Sequence, residues 1–302
     1  MMIVMAFMMF SMVSIILPRA NVAATRVNEV IETVPSIEDK SVVKDGDVDF
    51  LGEVEFNGVT FRFPGADEDV LHHISVTADS GKTTAIIGST GSGKSTVINL
   101  IPRLYEVNSG RVAIDGVDIR DLSLHKLHEL IGFVPQKGVL FSGNIESNIA
   151  FGDSPITTDE MKKAADIAQA TEFISQNEEG FKRAISQGGT NVSGGQKQRL
   201  SIARAIAKNP KILIFDDSFS ALDNKTDVAV RRAISENIHG ITQIIVAQKI
   251  STILHADKII VMDQGRIVAS GTHEELIQTS SVYQEIAKSQ LNNSELGIEE
   301  AE

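Results

Sequence analysis

At 302 residues, 42% hydrophobic and 23% charged, the chain has ordinary globular composition and room for one sizeable domain with extensions. A net charge of −12 argues against nucleic acid as a partner, because an acidic surface repels phosphate backbones; a phosphate ligand must be held by a local arrangement. The absence of cysteine excludes disulfides, thiolate metal sites and a cysteine nucleophile.

Residues 1–17, MMIVMAFMMFSMVSIIL, carry no charge and would make about 25 Å of helix, slightly short of a hydrocarbon core. They read as the end of a transmembrane helix whose beginning is missing. A signal peptide is the alternative, and it wants a basic start that is lacking here. Arg19 and Arg26 favour a cytoplasmic location for the rest of the chain, and Pro18 is expected to kink or interrupt the helix. Residues 18–50 read as an extension and linker. Val22, Val27, Val30 and Ile31 recur there at near-helical spacing until Pro35, and an acidic stretch with a KDGD turn comes next. Over 51–289 apolar strands alternate with helical stretches and glycine-rich turns, the pattern of a mixed α/β domain. Residues 290–302 read as an acidic, solvated tail.

The first chemistry lies at GSTGSGKST, residues 88–96, between strand-like TTAIIG and helix-like VINLIPRL. Gly88, Ser89, Thr90, Gly91, Ser92, Gly93, Lys94, Ser95 and Thr96 meet the P-loop pattern. Glycines let backbone N–H groups turn inward around phosphates, and the helix after them adds positive potential. Lys94 would reach the β- and γ-phosphates of ATP, and Ser95 would bind Mg²⁺. Such a site needs an acid at the end of a neighbouring strand. ILIFDDS, residues 212–218, supplies Asp216 for the metal, with Asp217 beside it. Hydrolysis also requires a group that orients or deprotonates the attacking water.

Between these motifs, NVSGGQKQRLSIARAIAKNP places Ser193 where it can cap a helix of about 15 residues, with Gly194 and Gly195 exposing backbone N–H groups. At VSGGQ the chain resembles the nucleotide-binding domain of ABC transporters, whose signature motif is similar. The resemblance extends over most of 53–288, with the motifs in the family's order. It implies a P-loop NTPase fold with a RecA-like core, an antiparallel β subdomain and a helical signature subdomain. It implies that Phe63 stacks on adenine, that Gln136 touches magnesium and couples to the membrane domain, and that Asp223, closing SALD, lies in the loop crossing a dimer interface. In that family Ser193, Gly194, Gly195 and Gln196 would contact the ATP held by the other chain. LFSGNIESNIAFG is exporter-like, which with the apolar start implies a cell-membrane protein whose ATP-binding domain is cytoplasmic.

Two positions depart from the family. The acid after the magnesium aspartate is usually glutamate, the general base, and here it is Asp217; the usual histidine of the IVAHRLSTI-like motif is Gln248. Aspartate is shorter by one methylene, so its carboxylate stands back by about 1.5 Å, and a misplacement of about 1 Å can cost on the order of a hundredfold in rate. Glutamine can donate a hydrogen bond but cannot relay a proton. Both changes fall on groups that serve hydrolysis, whereas Lys94, Ser95, Asp216 and Gln136 are intact. The pair resembles the degenerate-site half of heterodimeric bacterial multidrug exporters, which implies a second half-transporter as partner. The competing readings are a regulatory nucleotide-binding subunit that never depends on hydrolysis, and a soluble ABC ATPase. The exporter-like stretch, the acidic charge and the apolar start oppose the latter.

Overall fold

The computed structural model describes residues 1–39, 49–152 and 155–290. The expected linker 36–50 therefore falls partly outside the described residues, and 291–302 of the expected tail wholly so. The chain divides into two compact units, 1–38 and 39–302.

The first unit is one helix, α1 (Met2–Ile31), with no buried residue. Pro18 lies inside it, so the expected interruption does not occur. Proline removes one i→i−4 hydrogen bond, and the turns on both sides keep their own. The helix is long and apolar enough to cross a membrane by length and composition.

In the second unit, β1 (Val54–Phe61), β2 (Leu71–Ala78) and β3 (Thr83–Gly88) lead into α2 (Lys94–Leu100). Then come β4 (Ser109–Ile114), β5 (Val117–Asp118), α3 (Leu124–Leu130), β6 (Ile131–Val134), β7 (Gly143–Asn144) and α4 (Ile145–Ile149). The helical region continues with α5 (Thr158–Ile167), α6 (Thr171–Ser175), β8 (Ala184–Ile185) and α7 (Gly194–Ala207). The last third holds β9 (Ile212–Asp216), α8 (Asn224–Asn237), β10 (Thr242–Val246), β11 (Lys258–Asp263), β12 (Arg266–Gly271), α9 (His273–Thr279) and α10 (Ser281–Gln290).

An antiparallel sheet runs β2-β1-β4-β5, and a six-stranded sheet runs β12-β11-β3-β10-β9-β6. The latter is parallel except for β12, which pairs antiparallel with β11. β9 shows why its sequence is continuously apolar. Ile212 and Ile214 enter a core shared with Phe56, Phe61, Val97 and Ile98, whereas Leu213 and Phe215 enter the other core with Leu200, Val230 and Tyr283. A parallel strand covered on both faces has no polar side. Its first polar residues therefore emerge where it leaves the sheet, at Asp216 and Asp217.

Ile214 is fully buried, so Ile214→Ala should destabilise the domain by about 2–5 kcal/mol through lost burial and a residual cavity. The exposed Val228→Ala should stay within about 0.5 kcal/mol of wild type. Urea unfolding of the two variants measures both.

Candidate functional site

β3, in the interior of the six-stranded sheet, ends at Gly88, and the loop 89–93 turns into α2. Two glycines are structurally required there. A Cβ on Gly88 would meet the Met262 carbonyl oxygen on β11 at 2.1 Å. Gly93 has φ +95° and caps α2, and a Cβ there would meet Leu71 Cδ2 at 2.7 Å. Thr90 and Gly91 form the exposed tip, Ser92 is buried, and Thr96 is half-buried one turn into the helix. Lys94 Nζ donates to the carbonyls of Gly88 (2.8 Å) and Ser89 (2.7 Å). Burial holds its ammonium below the usual lysine range, with Asp217 and Asp216 pulling the other way.

Ser95 Oγ donates to Asp216 Oδ1 at 2.8 Å. Desolvation raises the Asp216 carboxyl above the ordinary aspartate value; the Ser95 hydrogen bond and Lys94 oppose this, and the neighbouring Asp217 charge adds to it. The hydroxyl and carboxylate oxygens brought together here are hard donors of the kind Mg²⁺ selects, so the residues fit that ion.

Asp217 is 7% exposed and sits in the left-handed region at φ +46°. Its N–H bonds the Val246 carbonyl at 3.0 Å, and its own carbonyl accepts from the Ser220 hydroxyl at 2.7 Å. These bonds hold a backbone conformation that aspartate adopts more readily than most residues. Asp217 Oδ2 accepts from Gln248 Nε2 at 2.8 Å and from Gln136 Nε2 at 3.1 Å. A carboxylate only accepts, so both glutamines must present their NH₂ groups. The three side chains come from segments just beyond β10, β9 and β6, adjacent strands of the parallel sheet. In open α/β sheets ligands bind at this carboxyl edge. Gln136, expected to touch magnesium, thus also bonds Asp217.

The remaining candidates stand apart. Ser193 caps α7 in a reciprocal box with Gln196: the hydroxyl accepts from the Gln196 N–H (3.2 Å), and Gln196 Oε1 accepts from the Ser193 N–H (3.0 Å). A Cβ on Gly194 would meet nothing within 4 Å, and one on Gly195 only the Ala221 carbonyl oxygen at 3.8 Å. The backbone at this helix start is open to an incoming group. Among the described residues, no hydrogen bond joins 193–196 to the P-loop. Asp223 caps α8, accepting from the Thr226 N–H (3.0 Å) and hydroxyl (2.7 Å), and these bonds lower its carboxyl below the usual value. Phe63 packs edge-on against Phe61 (ring centroids 4.9 Å apart) and Tyr105 (5.2 Å).

A second layer was not read from the sequence. Gln198 on α7 is fully buried; its Oε1 accepts from the Gly138 N–H (2.8 Å) and its Nε2 donates to the Pro135 carbonyl (2.9 Å), bracketing Gln136. Arg204, further along α7, donates to Asn148 and the Val139 carbonyl. Buried Asn148 in turn holds both backbone groups of Phe141. The signal in the sequence is that Gln198 is a polar residue on the stripe that α7 buries, and buried polar groups need partners.

The family model described as ABC transporter matches residues 71–220. An uncharacterized ABC transporter ATP-binding protein of Mycobacterium tuberculosis is 44% identical over 298 residues, 98% of this chain and 51% of that protein. A putative multidrug export ATP-binding/permease protein of Bacillus subtilis is 44% identical over 235 residues, 78% of this chain and 40% of that protein. The solved structure of a bacterial Atm1-family ABC exporter with ATP bound superposes with a TM-score of 0.85 at 33% identity, covering 91% of this chain and 48% of that one. The chain thus spans about half the length of the curated relatives it matches.

The raised Asp216 carboxyl has a stability consequence. A carboxyl whose pKa rises on folding stabilises the fold below its ordinary pKa, and that contribution is lost as pH climbs through the raised value. At pH 7 the ionised group is therefore a net cost. Asp216→Asn should raise the thermal midpoint of the nucleotide-free chain at pH 7 and leave it unchanged at pH 3. It should also abolish stabilisation by Mg²⁺ added with ATP. Thermal scans at the two pH values, with and without Mg-ATP, measure all three.

Proposed function

This chain contains an ABC transporter ATP-binding domain, and on that premise we propose that it is the nucleotide-binding part of a membrane exporter. It holds Mg-ATP at its own site, cleaves it slowly there, and completes the ATP site of a second half-transporter with its signature segment. The observation that carries the slow-site reading is that the short Asp217 carboxylate is bonded by Gln248, which orients it but cannot relay a proton. The exporter reading is supported by the fully exposed apolar helix Met2–Ile31, by the exporter-like LFSGNIESNIAFG, and by the export protein and exporter structure it resembles. The membrane would lie at the N-terminal side, with the domain on the cytoplasmic face.

The chemistry rests on these contacts. Lys94 and the inward-turned backbone of 88–93 bind the phosphates, and Phe63 offers an aromatic face for the base. Ser95, Asp216 and Gln136 would hold Mg²⁺, which would supply charge neutralisation for the phosphates. The step left weak is proton removal from the attacking water. Asp217 Oδ2 already accepts two amide hydrogens, and its side chain is one methylene shorter than the glutamate usual at this position in the family, so the carboxylate stands back from the water. Gln248 cannot pass a proton onward. Ser193 and the N–H groups of Gly194 and Gly195, open to an incoming group, suit the γ-phosphate of ATP bound to a partner chain, and Asp223 would line the same interface.

Labelled ATP bound to the full chain should remain mostly triphosphate after many minutes. Asp217→Glu combined with Gln248→His should raise cleavage at least tenfold, since about 1.5 Å of reach and a proton relay are regained. Rapid conversion to ADP by the unmodified chain sinks the slow-site reading.

In the complex reconstituted with the partner half, Ser193→Ala should slow ATPase roughly tenfold to a hundredfold, the loss of one charge-assisted hydrogen bond of about 1.5–3 kcal/mol. Asp217→Asn in the same complex should have only a modest effect. Steady-state ATPase at saturating Mg-ATP reads both; a wild-type pair that stays at background would favour a regulatory subunit instead.

A further inference from the structure

Gln248 reaches Asp217 only if the backbone after β10 turns the right way, and a residue far along the chain holds that turn. α10 packs on the core through Tyr283 and Ala287, both fully buried. Gln290 comes at the next helical spacing, on the same stripe. Its side-chain amide bonds the backbone on both sides of Lys249: Nε2 donates to the Gln248 carbonyl at 2.9 Å, and Oε1 accepts from the Ile250 N–H at 2.9 Å. A carbonyl needs a donor and an N–H needs an acceptor, so only one orientation of the amide satisfies both bonds. The pair copies the bonds that a neighbouring strand would make to residues 248 and 250. On the upstream side, the Ala247 N–H bonds the Ile86 carbonyl on β3 at 3.1 Å. On the downstream side, Ile250 is fully buried and Arg231 donates to the Ser251 carbonyl at 3.4 Å. Between these anchors, the peptide carrying Gln248 takes its bond to α10 from Gln290.

We propose that Gln290 is a positioning residue for ATP cleavage: it clamps the loop after β10 so that Gln248 Nε2 stays on Asp217 Oδ2. This rests on the reading of Asp217 and Gln248 as hydrolysis-side groups. Gln290 touches neither the P-loop nor Asp216, so it acts on cleavage and not on nucleotide affinity. It also makes the end of α10 a point at which anything that binds or displaces this helix alters turnover.

The test uses the full 302-residue chain in detergent, with amide hydrogen exchange at Ile250 and single-turnover cleavage of labelled Mg-ATP. In Gln290→Ala, exchange at Ile250 should quicken about tenfold or more. Cleavage should slow about two- to tenfold with half-saturating ATP unchanged, as expected for a displaced side chain in an intact binding site. Gln290→Glu keeps an acceptor for the Ile250 N–H and loses the donor to the Gln248 carbonyl, so Ile250 should stay protected while cleavage slows. Gln284→Ala removes a bond from α10 to the Ile277 carbonyl and should behave as wild type in both readouts. Unchanged exchange at Ile250 in Gln290→Ala overturns the clamp. Faster exchange with wild-type cleavage overturns the positioning role, as does an equal loss of cleavage in Gln284→Ala. The cleavage rate of the unmodified chain reports separately on the slow-site reading, because the clamp is judged only by ratios to it.

Discussion

The carboxyl edge of the parallel sheet is tied together at one carboxylate oxygen of buried Asp217. Asp217 Oδ2 receives two amide hydrogens, from Gln136 and Gln248, and through them joins the segments that leave three adjacent strands. A charge withdrawn from water needs such partners, and bonds to an ionised acceptor are about twice as strong as neutral ones. The left-handed backbone at Asp217 is held by the same neighbourhood, through Val246 and Ser220. Moving any of the three segments would take at least one partner from Asp217 Oδ2. That constraint makes the edge a rigid unit.

A few ångströms along the same strand end, Asp216 obeys a different balance. It bonds the Ser95 hydroxyl, and burial pushes its carboxyl upward in spite of Lys94 nearby. The Asp216 carboxylate and the Ser95 hydroxyl set two hard oxygen donors side by side. The signature segment is built the other way. Its side-chain groups are locally satisfied by the Ser193–Gln196 box, and its glycine backbone faces open space. The first cluster is assembled by one chain, whereas the second offers its donors outward.

Much of this was legible along the chain. TTAIIG became β3 and ILIFD became β9 because continuous apolar runs suit a sheet covered on both faces. Ser193 capped a helix of 14 residues, where the spacing had suggested about 15. Pro18 does not interrupt α1, since the loss of one hydrogen bond does not end a helix whose other turns are intact. The bond from Gln136 to Asp217 leaves no mark in the sequence, since the two follow different strands. Asn148, Arg204 and Gln290 look like ordinary polar residues in the sequence, because what distinguishes them is the backbone they meet far away.

The amino-acid sequence by itself determined the P-loop, the strand-end acid pair, the helix cap, and an aspartate and a glutamine at 217 and 248 where the family usually has glutamate and histidine. Each of these is a short pattern whose chemistry is complete within a few residues. Only the tertiary structure decided that Gln136 and Gln248 share one oxygen of Asp217, although they lie 81 and 31 positions from it. It alone decided that Gln290 reaches the loop carrying Gln248, 42 positions away. The physical reason is reach: a hydrogen bond acts over about 3 Å and carries no trace of sequence separation. Such partners are chosen by which strands and helices the two cores bring together, and not by any local spacing.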